Sequence, residues 1–115
     1  MTSKEMVKLA CQALEEKKAG DIRVLDISKV SVIADYFIIA DGSNINQVQA
    51  MADAVTESLG KAGVTECRTE GYNSGDWILL DFQDVIVHAF NRENRLFYDL
   101  ERIWRDGKVV DPETL

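Results

Sequence analysis

The stretch from Asp76 to Phe90, DWILLDFQDVIVHAF, holds two largely apolar runs, WILLDF and VIVHAF, separated by the polar pair Gln83–Asp84. Two such runs on either side of a two-residue polar break predict a β-hairpin with its turn at Gln83–Asp84. Antiparallel pairing across that turn sets Phe82 opposite Val85 and Leu80 opposite Val87. Side chains alternate between faces along a strand. One face then carries Ile78, Leu80, Phe82, Val85, Val87 and Ala89, all apolar, and reads as core. The other carries Trp77, Leu79, Asp81, Ile86, His88 and Phe90. Gln-Asp is poor chemistry for a two-residue turn, since neither residue is glycine.

The rest of the chain is read in the same way. Val7, Ala10, Cys11 and Leu14 recur at helical spacing and predict a helix from Ser3 to Ala19. Thr2 and Glu5 fit its capping box, and Gly20 is placed to end it. Strands follow at Ile22–Ile27 and at Asp35–Ala40, the second around the continuous apolar run YFIIA expected of a strand buried on both faces. A second helix is predicted over Ile45–Lys61, with the stripe Val48, Ala52, Val55 and Leu59 and an Asn44 N-cap. Val64–Glu70 alternates charged residues with Thr and Cys and reads as an edge strand. Leu96, Phe97, Leu100, Ile103 and Trp104 give a third helix, capped by Asn91 and stopped at Gly107. The predicted order is α-β-β-α-β-β-β-α. That order implies a two-layer α/β domain with a mixed, roughly five-stranded sheet and helices on one side. Residues 1–107 form the expected single domain, and residues 108–115 are read as a loose tail.

Composition narrows the function more than the fold. The chain has 115 residues with net charge −7 and 46% hydrophobic residues. That length can bury a core without staples. No apolar run approaches a membrane span, and the N-terminus has no signal-peptide h-region, so no membrane partner is expected. An acidic domain does not hold phosphate backbones over a broad surface, so no sequence-specific nucleic-acid binding is expected. Cys11 and Cys67 are far apart in sequence and read as free thiols of a reducing, cytoplasmic setting. One histidine and two dispersed cysteines make no zinc set and no nucleophilic triad. No metal, cofactor or catalytic residue is expected.

Two features retain chemical interest. Gly42-Ser43 opens a helix after an apolar strand, a junction that can cradle phosphate with backbone N–H groups. Its plainer reading is a tight turn with an N-cap. Nucleotide transfer would also need paired carboxylates for magnesium. Asp53 and Glu57 fall inside a helix instead, and Asp81 is a lone strand carboxylate. The mixed hairpin face is the second feature. Aromatic and aliphatic groups with a few ionisable ones are the composition of a protein-binding patch. The plainer reading is that the third helix or another chain covers this face as ordinary core.

Several stretches carry a family resemblance: Asp26-Ile27, ADYFIIADGSN (34–44), Gln47 to Ala54, EGYNSGDWILLDFQDVIVHAF (70–90) and RLFYDLERIW (95–104). In this order they resemble the ribosomal silencing factor family, also called RsfS, YbeB or Iojap, over nearly the full length. The resemblance implies a fold like that of nucleotidyltransferases without their catalytic carboxylate pair. It implies a non-enzymatic factor that binds the large ribosomal subunit at its ribosomal protein number fourteen. It implies that the bound factor blocks subunit joining and represses translation in starvation or stationary phase. A homodimer is implied as well. Positions matching the family's partner-facing surface are Trp77, Leu79, Asp81 and His88. The hairpin face adds Ile86 and Phe90, and Glu70, Tyr98 and Asp99 are expected to contribute at its rim. On this reading Trp77→Ala abolishes binding and leaves the fold intact. The alternatives are a nucleotidyltransferase-like nucleotide binder using Gly42-Ser43 and Asp81, and a bare dimerisation module built on the Trp77 face.

Overall fold

A computed structural model of the chain describes residues 1–93, 108–112 and 115. Two helices and six strands follow the order α1 (Ser3–Glu16), β1 (Gly20–Asp26), β2 (Tyr36–Gly42), α2 (Ile45–Lys61), β3 (Arg68–Glu70), β4 (Trp77–Asp81), β5 (Val85–Asn91) and β6 (Lys108–Val110). The predicted third helix, with Tyr98 and Asp99, lies almost wholly outside the described residues.

The strands form one mixed sheet in the order β3-β4-β5-β2-β1-β6. Among the described strands, only the central β2–β5 pair is parallel. The hairpin register is the one the alternation demands: Trp77 faces Phe90, Leu79 faces His88 and Asp81 faces Ile86. Its turn is unusual. Gln83 has φ 75°, and Asp84 N–H donates to the Phe82 carbonyl at 3.1 Å. An i→i+2 bond about a left-handed residue marks a γ-turn, which a non-glycine residue adopts only with strain. Asp81 helps hold it, accepting from Gln83 N–H at 2.8 Å.

Three expectations need correcting. The sheet has six strands and not five, because Lys108–Val110 of the supposed loose tail pairs antiparallel with Val24–Asp26. Such a short run gives no local signal; its stability comes from β1's open edge. Helix α1 ends at Glu16, before Gly20, because Lys18 takes the left-handed conformation at φ 58°. Gly20 instead begins β1, where a side chain would strike the Asp41 carboxylate: an added Cβ would lie 2.3 Å from Asp41 Oδ1. Third, β3 is confined to Arg68–Glu70, though it is the polar edge strand anticipated.

Both predicted N-caps form. Thr2 Oγ1 accepts from Glu5 N–H, and Asn44 Oδ1 accepts from Gln47 N–H. Helices α1 and α2 turn Val7, Leu14, Val48, Met51, Val55 and Leu59 onto one sheet face, against Ile38, Ile78, Leu80 and Val87. A second apolar cluster forms on the opposite face from Leu25, Ile27, Ala34, Phe37, Ile39, Ile86 and Phe90, with Trp77 and Leu79 at its margin.

Candidate functional site: the margin of strand β4

Strand β4 alternates half-buried and buried residues along its length. Ile78 and Leu80 enter the helix-side core. Trp77, Leu79 and Asp81 point to the other face and stay partly exposed. Edge strand β3 lies beside them, setting Glu70 next to Leu79 and Arg68 next to Asp81. Both β3 side chains are exposed, and they approach each other at 3.9 Å. The result is a strip along the sheet margin: an indole, an aliphatic side chain and a carboxylate at every second position, rimmed by charge.

The same face is not open further in. Ile86, His88 and Phe90 are buried, as are Phe37 and Ile39 beyond them. The expectation of six accessible residues on this face is therefore corrected to three, with Glu70 at the rim. Sequence did hold the signal: VIVHAF is apolar at every position but His88, and such runs mark strands covered on both faces.

His88 acts from beneath the strip. Trp77 Nε1–H donates to His88 Nδ1 at 3.1 Å, so the neutral ring carries its proton on Nε2. Nε2 is buried and makes no hydrogen bond to the described residues. Phe37 meets the imidazole edge-on at 4.7 Å between centroids, and Trp77 lies tilted over Phe90 at 5.3 Å. Burial in this aromatic setting pushes the His88 pKa down to about 4. A ring held neutral and turned toward an indole is a packing and orienting group, which fixes the Trp77 rotamer.

Gly71 sets where β4 begins. It has φ 77°, and an added Cβ would lie 2.2 Å from the Trp77 carbonyl oxygen. Gly71→Ala is accordingly expected to lower the unfolding free energy by about 2 kcal/mol, from left-handed strain and a backbone clash. Denaturant melts of the two proteins check this.

The Gly42-Ser43 junction is a closed cap. Ser43 N–H and Oγ both donate to Gln47 Oε1, at 2.6 and 2.9 Å. Gln47 Nε2 in turn donates to the Lys17 and Lys18 carbonyls, tying the junction to the end of α1. Asp81 lies at the other end of the sheet. It pairs with Ile86, which pairs with Phe37, and Gly42 is five residues further along β2. At roughly 3.3 Å per residue the separation along the strands is about 17 Å. The structure does not bring these groups together. Asp41, next to the last residue of β2, is buried and accepts from Arg92 Nε–H at 3.1 Å.

Neither cysteine is set up as a nucleophile. Burial, then the charge of Glu15, pushes the Cys11 thiol up to about 12. Burial also raises Cys67. No group of three or more His, Cys, Asp or Glu among the described residues could hold a metal ion. Among the described residues, no helix is long and apolar enough to cross a membrane.

The RsfS family model, described as ribosomal silencing factor during starvation, matches residues 1–115. The chain belongs to the RsfS family. The ribosomal silencing factor RsfS of Bacillus subtilis is 37% identical over 111 residues, spanning 96% of this chain and 94% of that one. The RsfS of Chromobacterium violaceum is 41% identical over 108 residues, spanning 94% and 88%. The X-ray crystal structure of protein CV0518 from Chromobacterium violaceum superposes with TM-score 0.87 at 41% identity, covering 90% of this chain and 87% of that one. The mixed sheet with the two helices of the described residues is thus the architecture of an RsfS-family structure.

Proposed function

We propose that this protein is a non-catalytic silencing factor of translation. It binds the large ribosomal subunit through ribosomal protein number fourteen and blocks joining of the small subunit, acting in the cytoplasm under starvation or in stationary phase. Membership of the family supports the ribosomal setting, since the relatives carry that role in their names. The single structural observation in its favour is the β4 margin, where Trp77, Leu79 and Asp81 stay partly exposed on a sheet whose centre is buried.

That strip suits a basic protein. Trp77 and Leu79 supply apolar area, and interface energy concentrates in such anchors. Asp81 pairs with a cation of the partner, and Glu70 steers its approach, as does the net charge of −7. Tyr98 and Asp99 belong to the same proposed surface on sequence grounds. His88, Ile86 and Phe90 contribute by fixing the anchors and not by contact. Inhibition needs no chemistry, because a bound domain occupies the joining surface.

The nucleotide-binding alternative loses support, because Ser43 is engaged by Gln47 and Asp81 lies about 17 Å away along the sheet. A subunit-joining experiment tests the proposal. Excess protein added to separated subunits before magnesium is raised is expected to shift the sucrose-gradient profile from joined ribosomes to free subunits. An unchanged profile at saturating protein contradicts it.

A further inference from the structure

The loop between β1 and β2 displays aliphatic side chains to water. Val32 is fully exposed, Ile33 is 64% exposed and Val30 44%. In sequence they sit in the run Lys-Val-Ser-Val-Ile, which reads like a strand but joins no sheet.

The loop is held in place by its own hydrogen bonds. Val30 and Ser31 N–H both donate to the Ile27 carbonyl, at 3.1 and 2.9 Å. Ser31 Oγ accepts from Ile33 N–H, and Asp26 Oδ1 accepts from Ser28 N–H and Oγ. At its end Asp35 N–H donates to the Asp84 carbonyl in the hairpin turn, at 2.8 Å. The exposed aliphatics are thus pre-organised, which lowers the ordering cost of docking.

That last bond also places the loop beside the turn into which β4 runs. Three acidic residues belong to this join: Asp35 N–H donates to the Asp84 carbonyl, and Asp81 accepts from Gln83 N–H at the end of β4. Lys29 is the only cation from Ser28 to Ala34. A second copy of this chain would bring the same carboxylates against these, in a protein of net charge −7. Nucleic acid is disfavoured for the same reason.

We infer that the 28–34 loop is a second docking element, whose Val32 and Ile33 enter an aliphatic socket on a cationic protein surface next to the one gripped by β4. This rests on the proposed silencing function, which supplies the large subunit as the carrier of that surface. The two elements then straddle the hairpin turn and fix the orientation of the bound domain.

The test is co-sedimentation of the wild type and of the double variant Val32→Ser, Ile33→Ser with purified large subunits. Both changed side chains are exposed, so the melting curves should coincide. Binding at least about tenfold weaker in the variant supports the inference. Equal binding of the two proteins overturns it and leaves the β4 proposal standing. No binding by the wild type overturns both. Sedimentation velocity without ribosomes supplies the remaining arm. A wild-type dimer made monomeric by the double variant would make the occupant a second copy and overturn the cationic partner.

Discussion

Trp77→Ala is expected to lower the unfolding free energy by about 3 kcal/mol as well as to remove binding. The indole is only half-buried, but it does two jobs. It covers Phe90, and its Nε1–H satisfies His88 Nδ1. Truncation removes the packing and leaves a buried acceptor without a donor, and those two effects together reach that size. Sequence alone suggests a variant that keeps its fold; the bond to His88 changes that. Trp77→Phe separates most of the two effects, because it keeps a ring over Phe90 and loses the indole donor, at about 1–2 kcal/mol for the hydrogen bond. Urea melts of the three proteins check the ranking. Equal stability of wild type and Trp77→Ala would mean that the indole stands free of the sheet.

The second large effect is on pH. His88 titrates near its ordinary value of 6.5 in the unfolded chain and at about 4 in the folded one. Above pH 6.5 the ring is neutral in both states, and its stabilising contribution is whole. Between 6.5 and 4 the unfolded state takes up a proton that the native state refuses. Stability therefore falls as pH falls through that window, by about 3 kcal/mol in all. Below about 4 this contribution is gone. Asp26 adds a loss at the acid end, because its hydrogen bonds from Ser28 hold its carboxyl below the usual range. The comparison is therefore with His88→Gln, whose side-chain oxygen can still accept from Trp77. The unfolding free energy of the wild type should drop more steeply than that of the variant between pH 6.5 and 4.5. Parallel curves would show that His88 is not held neutral by burial.

The hairpin was legible in the sequence down to its register. Alternation over five or more residues on each side of a short turn leaves one pairing that keeps Ile78, Leu80, Val85 and Val87 on a single face. The turn's conformation was not legible: Gln83 accepts a left-handed φ because Asp81 and the ladder on either side hold it there. Alternation also separates two faces without saying what covers each. Face alternation alone therefore puts Ile86, His88 and Phe90 on the proposed docking surface, where burial leaves only Trp77, Leu79 and Asp81 partly exposed. Strand β6 escaped notice because three residues carry no periodicity, and its partner edge on β1 is more than eighty residues away in the chain. The 28–34 loop holds Val, Val and Ile where a connector usually carries polar residues.

The most direct measurement is co-sedimentation of the wild type and Asp81→Lys with separated large and small subunits at moderate salt. Asp81 is partly exposed but also accepts Gln83 N–H in the hairpin turn, so urea melts of Asp81→Lys accompany the binding and confirm that the variant is folded. Binding to the large subunit alone is expected, weakened on the order of 30-fold or more by Asp81→Lys. Undiminished large-subunit binding by Asp81→Lys, or equal binding to both subunits, would contradict it.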